Sequence, residues 1–407
     1  MIRLTPLHLI ITMCLAQGLA MLTGSTFAAL LPTFQAEWAL TNTEAGWISG
    51  VYFAGYVVAV PILVSLTDRV DSRNVYLVSA VINIVAGLGF AYFAYGVWSS
   101  SFWRILQGIG LAGVYMPGLK ALTDRLPENR HGRAIAFYTS SFGVGSSLSY
   151  LLAGEINIVL DWQWAFVLSS IGPVLSALIA VVVLYPQRPA SADRPSTGLL
   201  DFRPVFRNRR AVSYTLAYAV HNVELFALRS WLVAYLFFSK SLQADGAFGA
   251  MWRITIIATV INALSMPASV IGNELAQKFG RLPVLWGVMT TSCMVAIILG
   301  FSASAPYWVV ITLFIIYGLT VSADSSTITG GAVAAADPAY RGATMAVHSM
   351  IGFIGSMAGP LIFGVVLDVS GGELNRIAWG LSFTVIGLIV VTGPLFVYFM
   401  DRDRRPK

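Results

Sequence analysis

Apolar stretches of about twenty residues or more recur twelve times along the chain, separated by short polar segments. As an α-helix rising about 1.5 Å per residue, such a stretch crosses the roughly 30 Å hydrocarbon core of a bilayer. An open β-sheet cannot replace it, because its edges would leave backbone groups unpaired in lipid. The sequence therefore predicts an all-α integral membrane protein. The predicted spans are residues 8–32, 45–65, 74–95, 98–119, 133–157, 163–185, 211–238, 246–271, 282–303, 306–330, 342–367 and 376–400.

The composition supports this interpretation. Of the 407 residues, 57% are hydrophobic and only 11% are charged, whereas a soluble domain carries about 25% charged residues. So few charges could not cover a surface that faces water. The two cysteines, Cys14 and Cys293, both lie inside apolar stretches, which predicts buried thiols and neither a disulfide framework nor a metal site. The first stretch is too long for a cleaved signal peptide, so we assign it as a span.

The distribution of Lys and Arg predicts the orientation of the chain. Twenty of the 25 basic residues lie on one side of this layout and two, Lys240 and Arg376, on the other, while the remaining three lie inside spans. The side rich in Lys and Arg is cytoplasmic in most membrane proteins. We therefore predict a protein of the cell (inner) membrane with both termini and the connector 186–210 in the cytoplasm. The net charge of +6 thus reflects topology, and no nucleic-acid partner is predicted.

The two halves of the sequence repeat each other at an offset of 209–211 residues. Five residue pairs share this offset: Leu66 and Leu275, Gly108 and Gly318, Pro127 and Pro338, Arg130 and Arg341, and Gly154 and Gly364. Coincidence could supply one such pair but not five at nearly one spacing. The repeat predicts two pseudo-symmetric bundles of six helices, residues 1–185 and 211–407, joined by the connector 186–210.

Several short motifs lie in these spans and in the loops between them. They are Leu66-Thr67-Asp68-Arg69, Arg104-x-x-Gln107-Gly108-x-Gly110, Pro127-x-x-Arg130, Asp161-Trp162-Gln163-Trp164-Ala165-Phe166, and Gly355-x-x-x-Gly359-Pro360. Together they resemble the motifs of the major facilitator superfamily of secondary transporters, in its twelve-helix bacterial form, over essentially the whole chain. The chain differs from the family pattern at four positions, where Gly, Gly, Arg and an acid are usual: Val64, Asp71, Ser72 and Gln277. It also lacks the Gly-Pro signature of antiporters in the fifth span.

The resemblance implies a carrier that binds its solute between two bundles near the bilayer midplane and works by alternating access. It also implies a cytoplasmic gate in which Asp68, with Arg69 and Arg73, latches the cytoplasmic ends of the helices in one state. Lys278 and Arg281 would be the counterpart of that gate in the second half. A monomer without a cofactor is the family expectation.

Polar side chains are concentrated in the seventh span. His221, Asn222, Glu224 and Arg229 fall within an arc of about 160° on a helix. A charged group inside a span costs roughly 2.5–3.5 kcal/mol, so this arc is not expected to face lipid. Glu224 and Arg229 lie about 140° apart and are poorly placed to pair with each other. We interpret Glu224 as the group that takes up a proton, with His221 relaying that proton or tuning its uptake, and Asn222 and Arg229 as the groups that hold an anion. The alternative is a set of structural contacts to neighbouring helices.

Other polar residues inside spans are further candidates. Arg104 and Arg253 lie several residues inside the outer interface, where they either extend to water or bind in a cavity. The resemblance relates Arg104 to a fourth-span arginine that is often linked to proton coupling. Asp324 is either a cavity acid or the cap of a helix broken near Gly330-Gly331. Cavity-lining candidates on other helices are Gln17, Tyr52, Tyr56 and His348, the last of which is more typical of a structural contact.

The charge count inside the spans suggests the solute. Three arginines against the two acids Glu224 and Asp324 leave one positive charge in excess, which a small organic anion would balance. We therefore predict a proton-coupled carrier of a small anionic solute; the alternative is a proton-driven exporter of amphipathic drugs. A non-transporting receptor or a membrane enzyme would need a catalytic group in a soluble loop, and the only sizeable loop is merely basic and Pro-rich. No enzymatic motif, cofactor site or metal spacing is found.

Overall fold

The computed structural model describes residues 5–187, 202–244, 252–337 and 340–401. Most of the connector, and Pro338 of the sequence repeat, lie outside these residues. The described chain contains helices and no strands, as predicted. In order, the helices are α1 (Pro6–Ala20), a 3₁₀ turn (Met21–Thr23), α2 (Thr26–Ala29), α3 (Leu31–Trp38), α4 (Asn42–Leu66), α5 (Ser72–Phe93), α6 (Gly96–Thr123), α7 (Glu128–Val159), α8 (Trp162–Ser169), α9 (Ile171–Val183), α10 (Arg203–Arg207), α11 (Arg209–Ser241), α12 (Ile254–Phe279), α13 (Arg281–Phe301), α14 (Tyr307–Ala323), α15 (Ser325–Ala335), α16 (Arg341–Val369) and α17 (Arg376–Asp401).

Ten helical segments of the described chain are long and apolar enough to cross a membrane. The fifth and seventh predicted spans, α7 and α11, do not meet the same hydropathy criterion, although they are 32 and 33 residues long. Both are ample to cross a bilayer, and their polar residues account for their lower hydropathy. With α7 and α11 included, the described residues contain twelve candidate spans, the number predicted.

Residue contacts divide the chain into two compact units. The first unit comprises Met1–Leu30 and Val51–Leu200, and the second comprises Leu31–Gly50 and Asp201–Lys407. The boundary falls inside α4, so the first two turns of this helix belong to the second unit and the rest belongs to the first.

Glycine permits close contact between α11 and α16 in the second unit. A Cβ atom at Gly355 would overlap the backbone of Ala219, and one at Gly359 would overlap the backbone of Val223. Small residues four apart on a helix let a neighbouring backbone approach in this way. The Gly355-x-x-x-Gly359 motif is therefore a packing motif in this structure.

The glycines of the repeat have related surroundings in the two halves. Gly108 of α6 packs against the backbone of Tyr52 in α4, so the fourth span meets the second. Gly318 of α14 packs against Ser265 in α12, so the tenth span meets the eighth. The shared offset of these glycines thus corresponds to a shared helix contact.

Asp368, near the end of α16, caps the start of α4 within the second unit. Its carboxylate accepts hydrogen bonds from the backbone N–H groups of Asn42 (3.1 Å) and Thr43 (2.7 Å). The Asn42 amide and the Thr43 hydroxyl donate to it as well, at 2.8 and 2.6 Å. The first N–H groups of a helix have no partner in the helix, so a carboxylate at this position satisfies them and favours the positive end of the helix dipole.

Replacement of Gly359 by Ala should lower the stability of the protein. The added methyl group has no space against Val223, and overpacking of this kind costs about 1–3 kcal/mol. We expect a lower midpoint of thermal unfolding in detergent. Gly342→Ala, on the same helix where nothing lies within 4 Å of the new Cβ, is the control and should leave the midpoint unchanged or slightly raised. Equal midpoints for the two variants would contradict this account of α11–α16 packing.

Candidate functional site

Buried polar side chains of the second unit surround two acids and form a group that we call the acid cluster: His221, Glu224, Ser292, Tyr317 and Asp324. The Nδ1 atom of His221 lies 2.7 Å from the Oδ1 atom of Asp324, and each of these side chains is only 1% exposed. The contact joins α11 to the point where α14 ends and α15 begins. Because neither side chain reaches water, each depends on its contact with the other to offset the free-energy cost of its burial.

Glu224 lies on the same face of α11 and is completely buried. Its Oε1 atom accepts a hydrogen bond of 2.9 Å from the Ser292 hydroxyl of α13, which in turn is 3.3 Å from the hydroxyl of Thr320. The Tyr317 hydroxyl is also next to the carboxylate. No Lys or Arg in the described ranges forms an ion pair with Glu224, and Arg229 is no exception. The expected separation of Glu224 and Arg229 is therefore observed.

His348 of α16 is connected to this cluster by an aromatic stack. The ring of Tyr218 lies between two histidines, with centroids 4.2 Å from His348 and 5.7 Å from His221 and with nearly parallel planes. The ring nitrogens of His348 lie 3.5 Å from the hydroxyls of Thr215 and Thr329. His348 is thus buried in a polar contact and not isolated on an apolar face.

Asp324 marks a break in the tenth span, although not at the position of the second alternative, a helix broken near Gly330-Gly331. The helix is interrupted at Asp324 itself, while Gly330 and Gly331 lie inside α15. The Asp324 side chain makes no capping hydrogen bond, because its carboxylate is directed to His221. Gly331 instead provides room for the ring of Tyr214.

The other two candidates of the seventh span have different surroundings. Asn222 is buried, and its amide lies beside Gly352 of α16. Arg229 is only half-buried, with its guanidinium 5.5 Å from the ring centre of Phe226. Of the four polar residues of the arc, His221, Asn222 and Glu224 are fully enclosed in the second unit.

Arg104 forms the centre of a second site, in the first unit, that we call the arginine site: Arg104, Gln107, Tyr52 and Phe27. Arg104 is only 3% exposed, so its side chain does not extend to water. The guanidinium lies 4.3 Å from the ring centre of Tyr52 and 5.8 Å from that of Phe27. Its Nη1 atom donates to Gln107 Oε1 (2.9 Å) and to the Gly24 carbonyl (3.4 Å).

The arginine site retains unused hydrogen-bond donors. The Nε atom of Arg104 and the Nε2 atom of Gln107 are buried and have no partner in the described part of the chain. No Asp or Glu among the described residues forms an ion pair with Arg104. In the same unit, Gln17 accepts a 2.9 Å hydrogen bond from the Tyr138 hydroxyl while its own Nε2 atom is unpaired, and Tyr56 is fully buried.

Arg253 is not inside a span, and this prediction is wrong. It precedes α12, which begins at Ile254, and it is exposed. The predicted span 246–271 thus begins before α12, because hydropathy does not locate the first turn of a helix; residues 246–251 lie outside the described residues. Without Arg253, two span arginines face two span acids, and the charge count no longer leaves an excess. The prediction of an anionic solute then depends on the surroundings of Arg104.

Comparison with known proteins identifies the fold family. The family model described as Major Facilitator Superfamily matches residues 13–264 and 237–407, which together cover nearly the whole chain. The chain belongs to the major facilitator superfamily.

Similar superfamily proteins are known from sequence and from structure. A probable sphingolipid transporter, spinster homolog 1 of Arabidopsis thaliana, is 24% identical over 264 residues, or 56% of this chain and 53% of that protein. The chain thus matches about half the length of this plant relative. A bacterial homolog of the human lysosomal transporter Spinster, inward-facing and occupied, superposes with a TM-score of 0.77 at 15% identity over 97% of this chain and 96% of that one. The nucleoside transporter NupG (D323A mutant) gives 0.74 at 14% identity over 96% and 99%.

The gate residues implied by the superfamily resemblance lie mostly on the surface of their own units. Asp68, Arg69 and Lys278 are exposed, and Arg73 and Arg281 are half-buried. The Nη2 atom of Arg73 lies 3.5 Å from the Val181 carbonyl, and the Lys278 amine lies 5.2 Å from the ring centre of Phe279. Their role as a gate stays a prediction.

Asp71 forms the most extensive polar contact of this loop. Its carboxylate accepts hydrogen bonds from Arg125 Nη2 (3.0 Å), from the Gln187 N–H (2.7 Å) and from the Arg73 N–H (3.0 Å). Arg125 also donates to the Tyr185 carbonyl. Burial by itself raises the pKa of Asp71, but the hydrogen bonds from Gln187, Arg73 and Arg125 outweigh it and hold the pKa below its ordinary value.

Sequence reasoning missed several of these partners. Ser292 and Thr320 lie near other hydroxyl residues of their spans, and no local pattern separates them from structural residues. Asp71 carried a usable signal, since it departs from the glycine that is usual in the superfamily loop. Its partner Arg125 lies 54 positions away, so the pair itself could not be predicted from spacing.

Asp71→Asn should lower stability at neutral pH but not in acid. A carboxylate whose folded pKa is lowered stabilises the fold fully above its unfolded value of 3.8, and that contribution is lost as the pH falls below it. Loss of the ion pair should cost about 1–3 kcal/mol at pH 7. Thermal midpoints of both proteins, measured across pH, should differ at neutral pH and converge below about pH 3.8. Asp68→Asn removes an exposed carboxylate of the same loop and should have the smaller effect; the reverse order would contradict the assignment.

Proposed function

We propose that this superfamily member is a proton-coupled carrier of a small anionic organic solute. The observation that carries the proposal is the separation of buried charge. The first unit contains a buried arginine with unused donors and no acidic partner, and the second contains two buried acids that no Lys or Arg of the described chain neutralises. We also propose two six-helix bundles, residues 1–185 and 211–407, in a monomer of the inner membrane with both termini in the cytoplasm, on the basis of the repeat and the Lys/Arg distribution.

Arg104 provides the anion site. A buried guanidinium without a counter-charge is costly in a low-dielectric interior, and a carboxylate or phosphate of the solute would remove that cost. The free Nε atom of Arg104 and the free amide of Gln107 are donors, and an acceptor group can receive hydrogen bonds from both. The adjacent rings of Tyr52 and Phe27 offer an apolar surface to the body of the solute.

Glu224 provides the proton site. Its burial and its neutral hydroxyl partners favour the protonated form, because an ionised carboxyl group there would have no cationic partner. Asp324 differs, since its carboxylate contacts the His221 ring at 2.7 Å. When the cycle exposes Glu224 to water, the proton can leave, and re-entry of the acid into the protein requires a new proton.

An amphipathic anion is the second candidate solute. The relatives named above are a probable sphingolipid transporter and a homolog of Spinster, and the arginine site combines one positive charge with two aromatic rings. This candidate shares the role of Arg104 and differs in requiring a long apolar group. A series of carboxylates and phosphate esters with increasing chain length distinguishes the two candidates.

Arg104→Gln should weaken the response to anionic solutes. Purified protein is screened for thermal stabilisation by small carboxylates, phosphate monoesters, nucleosides and cationic dyes. Loss of a charge-assisted hydrogen-bonded contact should weaken the binding of anionic hits about 10- to 100-fold. Arg253→Gln, which removes an exposed arginine outside the spans, is the matched control. Unchanged binding in Arg104→Gln, or stabilisation by cations alone, would contradict an anion site at Arg104.

Glu224→Gln should uncouple transport from the proton gradient. In proteoliposomes loaded with a pH-sensitive dye, addition of a solute found by that screen should move protons through the wild type and not through the variant. Solute exchange without a gradient should persist, because glutamine keeps the shape and neutral state of the protonated acid. Solute-driven proton movement that survives in Glu224→Gln with its pH dependence intact would show that the proton binds elsewhere.

A further inference from the structure

The start of α4 belongs to one half of the protein by sequence and to the other by contact. The proposed first bundle includes residues 31–50, whereas contacts place Leu31–Gly50 in the second unit. The rest of α4 stays with the first unit, where Gly55 packs against the backbone of Ile105 in α6. The Lys/Arg distribution predicts that the start of α4 lies on the outer side of the membrane. The outer end of this helix is therefore held by residues of the other half of the sequence.

Glycine brings the start of α4 directly against α16. A Cβ atom at Gly46 would overlap the carbonyl of Pro360, and one at Gly50 would overlap that of Met357. The indole N–H of Trp231 in α11 donates to the same Pro360 carbonyl at 3.0 Å. Small residues four apart permit this approach of two backbones. The first two turns of α4 are thus fitted to α16.

Polar groups hold the same contact at its outer edge. Asn42, which is buried, donates from its side-chain amide to Asp368 at 2.8 Å and to Glu373 at 2.9 Å. Its amide oxygen accepts from Gln35 at 2.8 Å. These bonds add to those that the Asp368 carboxylate accepts from the first N–H groups of α4. Two acids at and beyond the end of α16 therefore hold the first turn of α4.

The Asp368 carboxylate faces the positive end of the α4 dipole and no basic side chain. No Lys or Arg in the described part of the chain forms an ion pair with Asp368 or Glu373. Asp368 is half-buried and Glu373 is exposed, so water can reach both when α4 moves away. Hydrogen bonds to water then replace those to α4, and no uncompensated charge is left buried. The contact can therefore open and close reversibly.

A movement of the two halves must either bend α4 or release its outer end. A bend would break hydrogen bonds inside the span, where lipid offers no replacement. Sharp bends also need a cause such as proline, and the only proline of α4, Pro61, lies far from the boundary between Gly50 and Val51. Release at Asp368 costs less, because water replaces the lost bonds.

We infer that the start of α4 and the end of α16 form an outer latch, made by Asn42, Thr43, Gly46, Gly50 and Asp368. The Asp368 carboxylate caps α4 while the outer side of the carrier is closed and releases it when that side opens. The inference rests on the proposed carrier function and adds the contact that each cycle breaks. It does not depend on the charge of the solute or on the coupling ion.

Reversible crosslinking tests whether the latch has to open. The Thr43 hydroxyl and the Asp368 carboxylate lie 2.6 Å apart, so thiols introduced by Thr43→Cys and Asp368→Cys can be joined by a short bis-methanethiosulfonate reagent. In proteoliposomes, the crosslink should abolish exchange of any solute found by the thermal screen, whatever its charge, and a reducing agent should restore it. Each single variant is treated in the same way, which accounts for the native Cys14 and Cys293.

Ser269→Cys with Ser326→Cys is the matched control pair. These hydroxyls also lie 2.6 Å apart, but they join α12 to α15 within one half of the sequence and one unit. Their crosslink should leave solute exchange unchanged. Exchange that persists in the crosslinked Thr43 and Asp368 pair would overturn the inference, since the contact would then stay closed throughout the cycle. An equal loss in both pairs would also overturn it, because any added constraint would then have the same effect.

Thiol accessibility provides a second measurement that needs no solute. Ser49 is 3% exposed and lies about two turns beyond Asn42, so fraying of the first turn of α4 does not expose it. In a Ser49→Cys background, Asp368→Asn should raise the rate of reaction with a membrane-impermeant maleimide about tenfold. Asp161→Asn is the control and should leave this rate unchanged, because Asp161 caps α8 within the first unit by accepting from the Trp164 N–H at 3.1 Å.

Equal reaction rates with and without Asp368→Asn would contradict the latch, as would an equal increase in Asp161→Asn. Because this measurement uses neither solute nor proton gradient, it distinguishes a failure of the latch from a failure of the proposed anion or proton site. Thermal midpoints of all variants verify that they are folded.

Discussion

The free-energy cost of placing an uncompensated charge in hydrocarbon constrains this structure more than any other interaction does. Among the described residues, Arg104, His221, Glu224, Asp324 and His348 are buried within their own units beside hydroxyls, rings or another ionisable group. The seventh span shows the consequence most clearly. It is too polar to register as a span by hydropathy, yet His221, Asn222 and Glu224 are all buried. A helix with such an arc is stable in a membrane only as the interior member of a bundle.

The polar contacts depend in turn on close helix packing. Gly355 and Gly359 bring the backbone of α16 against α11, and Gly352 between them and His348 accommodates Tyr218 and Asn222. The stack of His348, Tyr218 and His221 joins these two helices. The small residues of α16 thus allow the aromatic stack to form beside the acid cluster.

The sequence predicted the features that depend on length, hydropathy and repetition along the chain. It did not predict features that are determined by a contact between residues far apart in the sequence. Twelve spans and a repeat with shared packing at Gly108 and Gly318 follow from such patterns. The start of α12 does not, because hydropathy places Arg253 inside an apolar stretch whereas the helix begins at Ile254. The partners of Glu224 and Asp324, and the capping of α4 by Asp368 across 326 positions, require knowledge of which helices meet. Periodicity places these residues on a face but does not identify the neighbour of that face.

The two halves of the repeat share their packing glycines but carry different charged residues. At the offset of 210, Arg104 corresponds to Phe314, Glu224 to Cys14 and Asp324 to Val114, whereas the packing glycines match. Phe314 and Val114 are fully buried and fill with apolar volume the positions where the other half carries charge. In the proposed function, the anion and the proton therefore bind in different units with no shared side chain. Binding of one can then influence the other only through a movement that both units share, which is the coupling that a carrier requires.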